Sequence, residues 1–127
     1  MIGLSRALRV YAYAEPVDMR KAYEGLSAIV RNELRRDVLD GELFLFVGRN
    51  RRRAKVLVFD GTGLGVYAKR LDKGRFAAPW ERGSSGAAIE MTLSELALFL
   101  EGAELLGRRS LSPPRITPED LVITIDP

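Results

Sequence analysis

The order of apolar and polar residues predicts a strand followed by a helix in the first third of the chain. Residues 7–13, ALRVYAY, alternate weakly and contain two tyrosines and a valine, which is typical of a strand. Pro16 is expected to end this strand because proline has no N–H group to donate. From Met19 onward, apolar residues recur at spacings of three and four. This spacing predicts an amphipathic helix at about 19–36, with Asp18 as its N-cap.

Three apolar runs in the middle of the chain predict an antiparallel β-meander. Residues 43–47, LFLFV, are apolar at every position, which indicates a strand covered on both faces. Residues 55–59 and 64–70 form the next two runs. The sequence DGTG at 60–63 separates them and is a strong signal for a hairpin turn.

The last third of the chain predicts a second helix and a separate tail. Residues 81–88, ERGSSGAA, have the composition of a turn. Thr92 or Ser94 is expected to cap a helix that runs to about Leu106. For the tail at 107–127 two interpretations remain open, an added edge strand at about 121–125 or a loosely held segment.

Together these elements predict an α+β fold with a single domain at residues 1–106. In this fold an antiparallel β-meander packs against an amphipathic helix and a second, C-terminal helix. The total length of 127 residues suits one domain, which can form its core without disulfides or metals.

Composition removes several kinds of chemistry. The chain has no cysteine and no histidine, so it lacks thiolate metal ligands, the commonest general base and the usual nucleophile pairs. No stretch approaches the roughly 18 apolar residues that span a bilayer. Arginines at positions 6 and 9 interrupt any signal-peptide core. We therefore expect a cytoplasmic protein with no membrane segment and no cofactor.

Positive charge is concentrated in the middle of the chain. Residues 20–75 contain 14 Lys or Arg against 7 Asp or Glu, whereas the remainder contains 6 basic and 10 acidic residues. A local excess of this kind attracts polyanions more strongly than the formal net charge of +3 suggests.

The densest cationic stretch, GRNRRRAK at 48–55, joins two predicted strands. Guanidinium groups offer planar sets of donors that match phosphate oxygens, so the stretch predicts contact with a nucleic-acid backbone. An ordinary solvated turn is the competing interpretation. The candidate residues are Arg49, Arg51, Arg52, Arg53 and Lys55, extended by Lys69, Arg70, Lys73 and Arg75 if the meander brings its ends together.

Two other groups of residues suggest weaker alternatives. Aromatic residues near the cationic stretch, Tyr67, Phe76 and Trp80, could stack on unpaired bases, although Phe76 suits the core better. A metal-dependent nuclease would need converging carboxylates. The candidates each have a simpler role in a cap, a turn or an ion pair, so we predict no catalytic residue and no metal site; they are Asp18, Glu24, Asp37, Asp60 and Asp72.

Three strings in the sequence resemble a known family. They are VDMRKAYEGL at 17–26, LFLFVGRNRRRAKVLVFDGTGLGVYAKRLDKGRF at 43–76 and LFLEGAEL at 98–105. This pattern resembles the small accessory protein, of the TnpB type, that is encoded by the second open reading frame of the insertion-sequence-sixty-six family. The resemblance implies participation in transposition beside a separate, larger transposase that carries out the strand transfer.

The sequence also departs from the family pattern. Relatives often have an acidic residue in the turn where this chain has Arg52 or Arg53, and often Trp or His where it has Phe59. A catalytic histidine before the Asp-Gly pair is therefore not expected. The tail after Leu106 does not match the pattern.

The resulting hypothesis is a non-enzymatic accessory protein that binds DNA backbone, the transposase or both through a basic β-hairpin. Arg20 and Lys21 are weaker candidates, because cations in the first turn of a helix oppose its dipole. The alternatives are a transposase adaptor without DNA contact and, less favoured, a metal-dependent nuclease.

Overall fold

The sequence folds into strands where apolar residues alternate and into helices where they recur on one side. The computed structural model describes residues 8–83 and 86–102. Short 3-10 turns lie at Val38–Asp40 and Pro79–Glu81. The main elements in chain order are β1 Arg9–Val17, α1 Tyr23–Asn32, β2 Leu43–Gly48, β3 Arg53–Phe59, β4 Leu64–Arg70, β5 Ala88–Thr92 and α2 Leu93–Glu101.

The five strands form one mixed sheet in the order β4-β3-β2-β1-β5. Strands β2, β3 and β4 are antiparallel neighbours, which confirms the predicted meander. Strand β1 lies parallel to β2 and antiparallel to β5, so it occupies an interior position. The single-domain α+β fold is confirmed, although the meander is only part of a larger sheet.

A separate apolar core covers each face of the sheet. On one face, α2 packs against the strands, and the rings of Phe76 and Phe99 stack 5.3 Å apart. On the other face, α1 supplies Leu26 and Val30, and Phe44 of β2 lies at the centre. Because every residue from Phe44 to Gly48 is buried, the prediction that this strand is covered on both faces is confirmed.

Strand β1 does not end at Pro16, as the sequence analysis expected. It continues to Val17, and its register against β2 shifts between Ala12 and Pro16. The β5 ladder covers only Arg9 to Tyr13 of β1. Past that ladder the strand has an open side, where a proline without an N–H group is tolerated.

The first helix is shorter than predicted at both ends. Asp18 is not its N-cap, because residues 18–21 form a turn in which Asp18 accepts from the N–H of Arg20 and of Lys21. The helix begins at Tyr23 after Ala22, which provides no side-chain cap. Arg20 and Lys21 therefore precede the helix and do not lie in its first turn.

The end of α1 is set by backbone geometry. Arg35 has a φ of +57°, which turns the chain back, and the N–H of Arg36 reaches the carbonyl of Val30 at 3.0 Å. The helix therefore stops at Asn32 and does not reach residue 36.

Part of the segment read as a turn at 81–88 belongs to an element that the sequence analysis missed. Ala88 begins β5, which pairs with β1 and leads directly into α2. Thr92 caps α2 in a capping box with Glu95, as one of the two predicted caps. The helix ends at Glu101 with Gly102 as its C-cap, so the prediction that it runs to about Leu106 was wrong. The domain boundary at 106 and the 107–127 tail lie outside the described residues.

Candidate nucleic-acid interface

The turn between β2 and β3 is held by its own backbone. The N–H of Arg51 donates to the carbonyl of Gly48 at 2.9 Å, and the N–H of Arg52 donates to the side-chain oxygen of Asn50 at 2.9 Å. Arg51 has a φ of +62°, a left-handed conformation that is uncommon for a residue with a side chain. This turn is therefore a defined structure from which cationic side chains project.

The segment after β4 is bonded to the same turn. The N–H of Leu71 donates to the carbonyl of Arg52 at 2.9 Å, and the N–H of Phe76 donates to that of Arg51 at 2.6 Å. The side chains of Leu71 and Phe76 are buried in the core beneath α2. Both ends of the 71–76 segment are thus anchored, which places Lys73 beside the arginine turn.

The end of β1 reaches this end of the sheet as well. Val17 pairs with Gly48, so the 18–21 turn follows directly beside the 49–52 turn. A Cβ at Gly48 would lie 2.8 Å from Cγ of Met19, which indicates that the Met19 side chain lies against the glycine backbone. We refer to residues 18–21, 49–53 and 70–75 together as the basic end.

Two cations near the basic end have partners within the protein. Arg20 forms a bidentate ion pair with Asp18, with a shortest distance of 2.7 Å. The hydrogen bonds from Arg20 hold the pKa of the Asp18 carboxyl well below its usual range. Lys55 donates from Nζ to the backbone carbonyl of Lys21 at 2.7 Å and so ties β3 to the 18–21 turn.

Lys69 does not join the predicted group. Successive residues of a strand point to opposite faces, so Lys69 lies on the α2 face, whereas Arg70 lies on the α1 face. Its Nζ donates to the carbonyl of Leu100 at 2.6 Å. A lysine at this position satisfies a free carbonyl at the C-terminus of α2 and complements the helix dipole.

The remaining predicted cations lie at the basic end without internal partners. Their side chains are exposed, apart from that of Arg51, which is half-buried. Among residues 8–83 and 86–102, none of them forms an ion pair or a side-chain hydrogen bond. These seven residues are Arg49, Arg51, Arg52, Arg53, Arg70, Lys73 and Arg75.

Arg53 and Arg70 lie directly opposite each other on β3 and β4. The pair before them, Arg52 and Leu71, is joined by a backbone hydrogen bond. Because the two pair types alternate along an antiparallel ladder, Arg53 and Arg70 form a non-hydrogen-bonded pair, with Cα atoms about 4.5 Å apart. Two like charges therefore project side by side from the same face. The sequence analysis named both arginines but missed this pairing.

The aromatic candidates do not lie on this surface. Phe76 is fully buried, and Trp80 packs partly buried against the core beneath α2. Tyr67 is about half exposed but lies on the face opposite Arg70. None of these three aromatic candidates therefore adjoins the arginine turn.

The carboxylates proposed for a nuclease are spread over the molecule. No three acidic residues that could hold a metal come together within the described ranges. The Asp60 carboxylate accepts from the N–H of Thr62 and Gly63 and from the Thr62 hydroxyl, which confirms its role as a turn former. Glu24 and Asp72 form no ion pair in this part of the chain, contrary to the simpler roles assigned to them.

The opposite end of the sheet carries paired charge and an apolar cavity. Arg36 donates to both oxygens of Glu42 at 2.9 and 3.0 Å, and its guanidinium carbon lies 4.0 Å from the centre of the Tyr11 ring. A cavity of about 500 Å³ lies between α1, the 38–40 turn and the start of β4. Leu39, which is 59% exposed, lines it together with Glu24.

These features define the class of protein: a small α+β protein with a mixed sheet and a surface of predominantly cationic side chains at one end. No helix in the described part of the chain has both the length and the apolar character needed to cross a bilayer.

Comparison with known proteins identifies the family. The family model described as IS66 Orf2 like protein, TnpB_IS66, matches residues 8–110. The chain therefore belongs to the IS66 Orf2-like family, as the resemblance predicted, and is an accessory protein of that insertion-sequence family.

Two relatives from Sinorhizobium fredii (strain NBRC 101917 / NGR234) are similar over 104 residues. "Uncharacterized protein y4hO" is 35% identical, with 82% of this chain and 88% of the relative covered. "Uncharacterized protein y4jC" is 33% identical, with 82% and 86% covered. No solved structure matches the chain significantly.

Proposed function

We propose that this protein assists transposition in the cytoplasm by holding the DNA backbone at its basic end while the transposase performs the strand transfer. The observation that carries this proposal is the collection of seven cations from two chain segments, 49–53 and 70–75, onto one end without partners among the described residues. Each cation that neutralises a phosphate releases condensed counterions, which favours binding without regard to sequence.

The geometry supports duplex DNA over single-stranded DNA. Proteins that bind single strands use exposed aromatic side chains as stacking surfaces for the bases. Phe76 is buried and Tyr67 lies on the other face, so neither is available beside the arginines. A duplex carries one charge per about 1.7 Å of axis, which suits a surface made of guanidinium groups alone.

A salt series on duplex binding tests this function. The variant combines Arg52→Ala and Arg53→Ala with Arg51→Asn, because asparagine tolerates the left-handed conformation at residue 51. If each arginine neutralises one phosphate, the slope of log K against log salt falls by about 2 to 3. Affinity is measured by fluorescence anisotropy on a 30-base-pair duplex between 50 and 200 mM salt.

A matched control removes charge elsewhere. Arg31→Gln and Arg35→Gln change two exposed cations at the end of α1 and its following turn, away from the basic end. This control is expected to keep the slope of the wild type. Equal slopes for wild type and the triple variant, or no duplex binding by the wild type at 50 mM salt, would refute the proposal.

A transposase adaptor without DNA contact is the second candidate, and the cavity beside α1 favours it. The exposed side chain of Leu39 lines the cavity with Val38 and Leu64. Two carboxylates, Glu24 and Asp37, outnumber the one cation of the lining, Arg31. These features suit an apolar side chain of the transposase that is flanked by basic residues. A pull-down of the transposase that survives nuclease treatment and is lost in Leu39→Glu would support this candidate. Retention in Leu39→Glu would exclude the cavity as the contact.

A further inference from the structure

The Arg53–Arg70 pair is unfavourable for the isolated protein. Like charges directly opposite on neighbouring strands destabilise a sheet, and a non-hydrogen-bonded pair brings its side chains closest. Each of these two side chains is exposed, and neither has a carboxylate partner among the described residues. Ordinary sheet design would place an acidic residue opposite one of them.

The surroundings of the pair do not relieve this repulsion. Across the sheet, the same row continues to Gly48 and Val17, both buried, with Met19 against the glycine. Two residues further along β3 on the same face is Lys55, whose charge is directed to a backbone carbonyl. The two guanidiniums thus adjoin an apolar surface and another cation.

Strand pairing also fixes the separation of the two arginines. Arg53 and Arg70 lie equally far along the chain from the 60–63 turn, on its two sides. Strands β3 and β4 pair over seven residue pairs without a register shift. Beyond the pair, the Leu71 hydrogen bond to Arg52 closes the ladder. The bases of the two side chains are therefore held in place before any ligand binds.

We infer that Arg53 and Arg70 form a clamp for a single phosphate group of the DNA backbone. One phosphate between two guanidiniums accepts from both planar sets of donors and replaces their repulsion by two attractions. This inference rests on the proposed function, because it names the phosphate contact within the same basic end. It assigns to one cross-strand pair a larger effect than to the cations around it.

The first test measures duplex affinity for Arg53→Gln, Arg70→Gln, the double Gln variant and the double Lys variant. Each single Gln change is expected to lower affinity by about tenfold, the loss of hydrogen bonds to a charged group. Arg49→Gln, in the same turn but outside the pair, is expected to lower it by less than about threefold. The double Lys variant keeps the charge and therefore the salt slope, but loses the planar donors and about tenfold in affinity.

The second test needs no DNA. Thermal unfolding is compared in inorganic phosphate and in chloride at equal ionic strength. The wild type is expected to gain more Tm in phosphate than the double Gln variant, whose smaller gain reports the general stabilising effect of phosphate on a folded protein. In chloride each single Gln variant is expected to unfold at a Tm no lower than the wild type, because it removes a repulsion.

The outcomes separate the clamp from the proposed function. Duplex binding by the wild type with equal losses in Arg53→Gln and Arg49→Gln would overturn the clamp and leave the proposed function standing. No duplex binding by the wild type would overturn the proposed function and, with it, the assignment of the clamp to a DNA phosphate. The phosphate test would then decide only whether the arginine pair binds a free anion. Full affinity in the double Lys variant, or equal phosphate shifts in the wild type and the double Gln variant, would also overturn the clamp.

Discussion

The two ends of the sheet differ in where their charged groups find partners. At the end with the 60–63 turn, Arg36 bonds both oxygens of Glu42 and lies over the Tyr11 ring, and Asp60 accepts three hydrogen bonds inside its own turn. At the basic end, the seven cationic side chains of the 49–53 and 70–75 segments have no partner within the described ranges. There the backbone groups are paired instead, through the carbonyls of Arg51 and Arg52.

This difference indicates that the charged groups at one end stabilise the fold, whereas those at the other end are available for binding. Charges that are paired internally contribute to folding but have little capacity left for a ligand. Charges that remain unpaired cost folding a little through repulsion, yet they meet an external anion with their donors unused. A firm backbone beneath them keeps the entropy of ordering small when that anion binds.

The largest expected effect comes from removing the support of the basic end. Phe76 is fully buried, and Phe76→Ala is expected to cost about 3–5 kcal/mol in the free energy of unfolding. Its amide anchors the 71–76 segment to the turn, so hydrogen exchange at the Leu71 amide should rise as well. Urea unfolding and hydrogen exchange measure the two effects.

A matched core change isolates the local part of that result. Phe44→Ala removes an equally buried ring on the α1 face and is expected to cost a similar free energy of unfolding. Exchange at the Leu71 amide should change in Phe44→Ala only as much as the loss in the free energy of unfolding explains. If exchange at the Leu71 amide rises in both variants by no more than the loss of global stability explains, Phe76 does not give the basic end any local support.

A smaller effect on the free energy of unfolding is expected when one arginine from each end is replaced. Arg36→Gln removes two charge-assisted hydrogen bonds and leaves the mostly buried Glu42 carboxylate without them, at a cost of about 1–3 kcal/mol. Arg52→Gln removes an exposed side chain without an ion pair in the described chain and should change stability by less than about 0.5 kcal/mol. Equal losses in denaturant unfolding would contradict the contrast between the two ends.

The smallest expected effect concerns pH at the 60–63 turn. Hydrogen bonds from Thr62 and Gly63 lower the pKa of Asp60 below its ordinary value of 3.8. Because the folded pKa is the lower one, ionised Asp60 stabilises the fold above the unfolded pKa. That contribution is lost as the pH falls from about 3.8 through the folded value. The difference in Tm between the wild type and Asp60→Asn should therefore be largest near neutral pH and shrink towards pH 2.

Asp40→Asn provides the control for this pH series. Asp40 is exposed, and its carboxylate makes no hydrogen bond or ion pair within the described residues. Its effect on Tm should stay small and show no matching trend with pH. A difference for Asp60→Asn that stays constant from pH 7 to pH 2 would rule out the ionised turn as a source of stability.

Local patterns in the sequence predicted the meander. The all-apolar run at 43–47 and the DGTG turn locate β2, β3 and β4, and they do so because side-chain periodicity and turn chemistry act over a few residues. The Arg53–Arg70 pairing is also readable in principle. A two-residue turn fixes the register of its strands, so residues seven positions from Asp60 and Gly63 must face each other.

Features that depend on distant partners were not readable. Strand β5 is short and follows a glycine- and serine-rich segment, and only its pairing with β1 makes it a strand. Strand β1 passes Pro16 because the β5 ladder has already ended there, which nothing near Pro16 indicates. The internal partner of Lys69 could not be found from the sequence, because it is a helix carbonyl 31 residues later.

The paired bonds from Leu71 and Phe76 to the 49–52 turn make two loops into one transferable unit. A residue inserted between Arg51 and Arg53 would change the spacing of the two receiving carbonyls, so the amides of Leu71 and Phe76 could no longer reach both. A change of length at this point therefore requires a compensating change in the 71–76 segment. An engineer who grafts the arginine turn onto another scaffold must carry the 71–76 segment with it.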